Sequence, residues 1–175
     1  MKTLRLQGLP AVVGPGTRLL VLGSFPGVAS LQAQQYYGHP QNHFWKILQA
    51  LWPDDPLPAA EHYAERCAWV LDHGLGIWDV YASCEREGSL DSSIRKPVVN
   101  DFATLRGRCP QLRLIAHNGG ESFRHAKEVR AALGVAHFPL VQLPSTSPAN
   151  ASWRYERKLA AWREVAAQAG IIDPS

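Results

Sequence analysis

Arg18-Leu19-Leu20-Val21-Leu22-Gly23-Ser24-Phe25-Pro26-Gly27 is an apolar run that stops abruptly in a glycine- and proline-rich turn. Hydrophobicity that is continuous rather than alternating marks a strand buried on both faces, and such strands belong to parallel sheets covered by helices. Residues 75–81, 112–117 and 138–143 repeat the pattern, each leading into Gly, Asn, Asp or Pro, where a loop begins. Segments of helical spacing lie between them. Residues 42–52 carry Phe44, Trp45, Ile47, Leu48 and Leu51 on one stripe. Residues 59–73, 120–133 and 152–169 stop at Gly74, Gly134 and Gly170, with Ser152 placed to cap the last. A further short helix is expected over 99–106. Residues 82–98 read as a long irregular loop, and loops of that length often carry function; the proline-rich residues 52–58 read as a surface connection. The alternation predicts an α/β fold: a single domain over residues 1–175, with three α/β/α layers around a short, mainly parallel four-stranded sheet.

The 175-residue chain is 46% hydrophobic and 19% charged, with a net charge of +3, which describes a globular protein rather than a disordered one. Basic residues crowd the last third, among them Arg124, Lys127, Arg130, Arg154, Arg157, Lys158 and Arg163. Most read as solvated helix faces; those beside a functional loop suit phosphate. Cys67, Cys84 and Cys109 are far apart, so neither a zinc ribbon nor an iron–sulfur cluster is indicated, and the odd count favours a reducing compartment. No signal-peptide pattern opens the chain, and no apolar run approaches the roughly 20 residues of a membrane span. An intracellular location is expected. His39 and His43 are four apart, but Pro40 lies between them and breaks a shared helical face; no metal site is expected.

In open α/β sheets, ligands bind beyond the carboxyl ends of the strands. Those ends carry residues 23–27, Asp79, His117-Asn118-Gly119 and Pro144-Ser145-Thr146-Ser147, which predicts one cleft lined by small and polar groups. Beside it falls Gln35-Tyr36-Tyr37-Gly38-His39-Pro40-Gln41-Asn42-His43-Phe44-Trp45. Tyr36, Tyr37 and Phe44 suit the faces of a planar heterocycle, while Trp45 reads as core. Asn42 offers both a donor and an acceptor, or caps the helix that follows. Asp79 either accepts a hydrogen bond from a ligand or caps a turn. Hydroxyls and main-chain N–H groups over residues 143–150, ahead of a helix, form a phosphate cradle or simple caps.

Gly23-Ser24-Phe25-Pro26-Gly27 after the first strand, and Pro144-Ser145 with Ser147 after the last, together resemble the two end motifs of the uracil-DNA glycosylase superfamily. Tyr36-Tyr37-Gly38 with Pro40, Asn42, Phe44 and Trp45 most resembles its hypoxanthine-DNA glycosylase branch, and the likeness runs over residues 20–155. The resemblance implies a monofunctional enzyme that hydrolyses the N-glycosidic bond of a flipped, deaminated DNA base without a cofactor. It assigns catalysis to Asn42; base binding to Gly23, Ser24, Phe25, Pro26, Gly27, Tyr37, His39, Phe44, Asp79 and Asn118; and DNA contacts to Pro144, Ser145, Thr146, Ser147, Asn150 and Arg154. DNA carrying a deaminated base is the implied partner, met by a nucleoid-associated monomer. One departure stands out: much of the superfamily has Asp or Asn third in the first motif to hold the attacking water, and here that residue is Phe25. A uracil or thymine mismatch glycosylase, and a damaged-DNA-binding module with little catalysis, are the alternatives. Pro148, Ala149 and Asn150 are small for wedging into a duplex, which leaves Trp153 or Arg154 for that task.

Overall fold

A computed structural model describes residues 4–174. The strands, in chain order, are β1 (Arg5–Gln7), β2 (Leu19–Gly23), β3 (Leu75–Asp79), β4 (Tyr81–Glu85), β5 (Arg95–Val99), β6 (Leu114–Asn118) and β7 (Leu140–Leu143). The helices are α1 (Val28–Ala33), α2 (Phe44–Leu51), α3 (Tyr63–Asp72), α4 (Leu105–Arg108), α5 (Gly120–Phe123), α6 (Ala126–Leu133) and α7 (Tyr155–Gln168). The expected parallel sheet is present, in the order β3-β2-β6-β7, with every neighbouring pair parallel.

Every residue of β2, β3 and β6 is buried, as their unbroken hydrophobicity requires. Alternate residues serve opposite faces. Leu19, Val21, Leu75, Ile77, Leu114 and Ala116 join one cluster with the apolar stripes of α2, α3 and α7. Leu20, Leu22, Trp78 and Ile115 join the other with α4 and α6. This is the three-layer α/β/α arrangement, and it sets the carboxyl ends of four strands side by side at one edge.

Residues 82–98 depart from the expected loop. β4 pairs antiparallel with β1 and with β5 to make a second, three-stranded sheet. Its outer strand is exposed through Arg95, Lys96, Pro97 and Val98; charge and proline protect an edge from further pairing and also erase the apolar signature of a strand. The β3 run ends at Asp79 rather than residue 81 because the chain changes sheet there. Val80 N still donates to Gly23 O (2.8 Å) and Tyr81 N to Ser24 O (3.0 Å), so the crossover stays locked to the first loop. Residues 120–133 divide into α5 and α6, and α7 starts three residues beyond Ser152. Arg154 is its N-cap, without a side-chain cap, while Ser152 Oγ donates to Asn150 Oδ1 instead (3.3 Å). The helix expected over 99–106 is a 3-10 turn, Phe102–Thr104, leading into α4. Gly74, Gly134 and Gly170 end their helices at φ of 75°, 70° and 75°, where a side chain is strained.

Phe44 is fully buried, edge-on to Trp45 (centroids 5.0 Å) and Trp162 (5.8 Å), so it joins α2 and α7 over the sheet. Phe44→Ala is expected to lower the unfolding free energy by about 3–5 kcal/mol, the usual range for emptying a buried aromatic site, as measured by urea denaturation.

Candidate active site

A cavity of about 770 Å³ opens at the carboxyl ends of the parallel strands. The first loop, residues 23–27, forms one wall; Asn118 and residues 143–150 form the opposite one; Tyr37, His39 and Asn42 close a third side. A fourth side, which the sequence did not single out residue by residue, is Ser89, Leu90, Asp91 and Ser92.

The strand register builds the floor. Gly23 lies directly opposite Asp79, and a Cβ on Gly23 would stand 2.5 Å from Asp79 Oδ1 and 3.2 Å from the Tyr37 hydroxyl. Only a glycine lets the carboxylate lie across the end of β2. Asp79 is 5% exposed and its Oδ2 has no hydrogen-bond partner. Burial, reinforced by the charge of Asp91, pushes its carboxyl up to about 7 against the lowering pull of Arg86. No turn cap engages this oxygen; it is a buried, unpaired acceptor in the wall of a cavity.

Tyr37 provides the flat face. Its backbone is left-handed, φ 53°, a conformation unfavourable for a bulky residue and found where surroundings impose it. Its ring lies on Phe44 with centroids 4.0 Å apart and planes at 27°. Phe44 is therefore not part of the cavity lining: it is the layer beneath Tyr37, and Tyr37 is the ring that lines the cavity. Burial and Asp79 push the Tyr37 phenol upward, so it remains a neutral hydroxyl.

Asn118 is a clamp. Its Nδ2 donates to Thr146 Oγ1 (3.0 Å) and Tyr37 OH (3.2 Å), and its Oδ1 accepts from Thr146 N (3.0 Å). Both amide hydrogens and the carbonyl are engaged, so its work is to hold Tyr37 and the last loop in register. Thr146 is wholly buried by this contact, pointing inward rather than toward a partner. Ser145 Oγ accepts from Ser147 N (3.1 Å), Ser147 Oγ from Ala149 N (3.2 Å), and Asn150 Nδ2 donates to Ser145 O (3.2 Å). The loop is a compact series of turns whose half-buried Ser145 and Ser147 line the cavity. Arg154 is exposed at the start of α7 and does not line it.

Asn42 precedes α2. Its Oδ1 accepts from Phe44 N (2.9 Å), which is the capping role, yet its half-buried side chain also forms part of the cavity wall. The cap orients the amide; it does not remove it from the site. His39 is exposed at the rim, with Nδ1 accepting from Gln41 N (3.1 Å). Phe25 is 7% exposed and lies under the Arg86 guanidinium, 5.3 Å from the ring centroid. Arg86, itself buried, donates to the Pro26 and Gly88 carbonyls and so fastens the first loop from behind. Nothing in the sequence around Arg86 announced that task; it depends on β4, a strand with no apolar signature. Lys158, 1% exposed, has Nζ 3.4 Å from His43 Nδ1 and stands outside the cavity lining. Among the described residues, no group of His, Cys, Asp and Glu is placed to hold a metal ion, and no helix is long and apolar enough to cross a membrane.

The chain and its fold have counterparts in known proteins. A protein of Methanosarcina acetivorans named as a hypoxanthine DNA glycosylase is 36% identical over 159 residues, covering 91% of this chain and 96% of that protein. One of the same name from Methanosarcina barkeri is 35% identical over 128 residues, 73% of this chain and 80% of that protein. A solution NMR structure from Methanosarcina acetivorans, described as a candidate uracil DNA glycosylase, superposes with a TM-score of 0.80 at 33% identity, over 95% of this chain and 99% of that one. The pattern of the uracil DNA glycosylase superfamily matches residues 10–166, a span that holds both end loops, Asn42 and Asp79. By that match and by these relatives, the chain belongs to the uracil DNA glycosylase superfamily.

Proposed function

We propose that the protein is a monofunctional DNA N-glycosylase that excises hypoxanthine from DNA. Membership of the superfamily supports the reaction class, and the two relatives named as hypoxanthine DNA glycosylases support the base. The observation that carries the reading is Asp79: a buried carboxyl with one oxygen unpartnered, on a residue that lines the cavity together with Tyr37 and the first loop. A target base inside a duplex cannot reach such a floor. It must be turned out, at a cost of a few kcal/mol that is smallest for mispaired or damaged bases.

In the pocket, the base stacks on Tyr37 and turns its N1–H and O6 toward Asp79. A neutral carboxyl matches that edge, accepting from N1–H and donating to O6. The donated hydrogen bond then strengthens as the departing base gathers negative charge, so it stabilises the transition state more than the ground state. Ionised Asp79 would oppose that charge. Asn42, held by its cap, orients the water that attacks C1′. No lysine lines the cavity among the described residues, which supports hydrolysis to an abasic site rather than a Schiff-base lyase step. Ser145, Ser147 and Asn150 flank the phosphates of the turned-out nucleotide, with Arg154 further along the same edge. The protein acts as one domain over residues 1–175 and as a monomer at the nucleoid. Its free Cys67, Cys84 and Cys109 suit a reducing compartment.

Asn42→Ala is expected to slow hypoxanthine release from a duplex by about 10²–10³-fold, as for loss of one positioned catalytic group, with strand breaks seen only after alkali. Wild-type activity near that of the variant, or breaks without alkali, contradicts the assignment.

The pH response tests Asp79. If the neutral carboxyl is the active form, single-turnover rates fall above about pH 7 by up to about tenfold per unit, and Asp79→Asn, which keeps a donor and an acceptor at every pH, flattens that limb. Stability carries the same signature. The folded carboxyl titrates at about 7 and its ordinary value is 3.8, so between these values the folded state binds more protons than the unfolded one and loses stability as pH rises. Asp79→Asn should therefore gain on wild type from pH 4.5 to 7.5, by about 1–3 kcal/mol in urea unfolding; parallel curves exclude a neutral buried Asp79.

A further inference from the structure

We infer that Asp91 is the carboxylate that takes the proton of the attacking water; the inference deepens the glycosylase reading above and rests on it. Hydrolysis of the N-glycosidic bond needs a proton acceptor as the water oxygen closes on C1′. Asn42 cannot be that group, because an amide orients water without removing its proton. Phe25 cannot serve either. The acceptor has to come from elsewhere in the cavity wall.

Apart from the tyrosines, whose phenols burial holds protonated, the titratable residues that line the cavity are His39, Asp79 and Asp91. His39 Nδ1 already accepts from Gln41 N (3.1 Å), so in the neutral ring Nε2 carries the hydrogen and no lone pair is left. Asp79 is engaged as the neutral donor to the base. Asp91 remains. It opens the 3-10 turn Asp91–Ser93, in the strap between β4 and β5. An acidic side chain there ordinarily serves the N–H groups of its own turn. Here Ser93 N donates to Leu90 O (3.1 Å), and Asp91 Oδ1 accepts from Ser24 Oγ instead (2.6 Å). Among the described residues, Asp91 Oδ2 has no partner. The short bond to Ser24 is typical of an ionised acceptor. It tethers the carboxylate to the residue before Phe25, on the loop where much of the superfamily has its water-holding side chain.

The two aspartates divide the work. Where two carboxyls share a site, their environments push one toward the neutral form and leave the other ionised. Asp79 is buried and rises to about 7, in part through the charge of Asp91. Asp91 is solvent-accessible, and Ser24 and Arg86 favour its anion. Loss of water to the surrounding walls, with Glu121 nearby, still pushes the Asp91 carboxyl upward, which makes it a better proton acceptor. The charged groups around it are thus Asp79 on β3, Arg86 on β4 and Glu121 on α5. As the water oxygen bonds to C1′, one water proton passes to Asp91. The C1′–N9 electron pair leaves with hypoxanthine, which takes up a proton on release, so the sum is water added across the bond. The carboxylate also steadies the positive charge that gathers on the deoxyribose. An anion in this cavity repels DNA phosphates, so its place there favours a chemical role over a binding one.

The test compares wild type, Asp91→Asn and Ser24→Ala in single-turnover release of hypoxanthine from a duplex, across the acid and alkaline limbs of the pH profile. Asp91→Asn keeps an acceptor for Ser24 but no base. It should be slower by about 10²-fold or more, and the acid limb, where the wild-type rate falls by about tenfold per unit as Asp91 protonates, should vanish. It should bind an uncleavable duplex at least as tightly as wild type. Ser24→Ala cuts the tether and keeps the charge; it should lose less rate than Asp91→Asn and retain the acid limb. An acid limb that persists in Asp91→Asn overturns the inference whatever the size of the rate loss. So does an Asp91→Asn rate within about threefold of wild type, or a wild-type profile that is flat on the acid side. If wild type releases no hypoxanthine at any pH, the glycosylase reading fails and the inference with it, a result distinct from any difference between the variants.

Discussion

The contact between Gly23 and Asp79 is the constraint on which the site depends. In the parallel register of β2 and β3 these residues lie opposite each other at the strand ends, and the missing side chain of Gly23 leaves the space that the carboxylate fills. The hydroxyl of Tyr37 approaches the same point, so three chain segments converge on one glycine. A larger residue there would displace Asp79 or Tyr37, and through Tyr37 the Asn118 clamp and the buried Thr146. The binding floor is thus set by strand pairing, the stiffest element of the fold, while the walls are loops fastened to it.

Burying a carboxyl without a partner is unfavourable for folding, and the surroundings reduce the cost without removing it. Arg86 lies close enough to lower the Asp79 pKa, yet no ion pair forms; Arg86 instead holds Pro26 O and Gly88 O. A tight pair would fix the carboxylate in its charged state and engage the oxygen that is now unpartnered. Leaving the two apart keeps Asp79 near its titration point. The energy for this comes from the rest of the molecule: the two apolar layers on either side of the sheet, and the stack of Tyr37 on Phe44 with Trp162 edge-on to Phe44.

The main sheet was legible because its strands are buried on both faces and so must be apolar throughout; their ends, and therefore the cleft, followed from a general rule of α/β topology. The cavity also holds most of the residues singled out from the loops. What the sequence concealed has a common cause. β5 is an exposed edge strand and β4, central in its small sheet, mixes polar with apolar residues, so their stretch, with Arg86, Arg95, Lys96 and Pro97, looks like a loop. Arg86 and the Ser89–Ser92 strap were hidden with them. Phe44 and Tyr37 are two aromatics of one motif, and it is Tyr37, with its left-handed backbone, that lines the cavity, a backbone feature that spacing does not encode. Asn118 and Thr146 are polar residues at strand ends, and only the fold shows that they bond each other.

Phe25 occupies the place where much of the superfamily carries its water-holding Asp or Asn, and its burial shows how the site can work without one there. The ring is turned away from solvent, beneath Arg86 and within the apolar layer of Leu20, Leu22 and Trp78. It thereby anchors a loop that borders the cavity. A polar side chain at that position would lose this packing and leave a buried group to satisfy. Asn42 lies on a different loop, one that closes another side of the same cavity, with its amide oriented by the cap on Phe44 N. If Asn42 handles the water, as proposed, the first loop is left as a packed connection between Gly23 and the strap of residues 89–92. On this arrangement Phe25 is a consequence of how the work is divided between the loops, not a sign that catalysis has been lost.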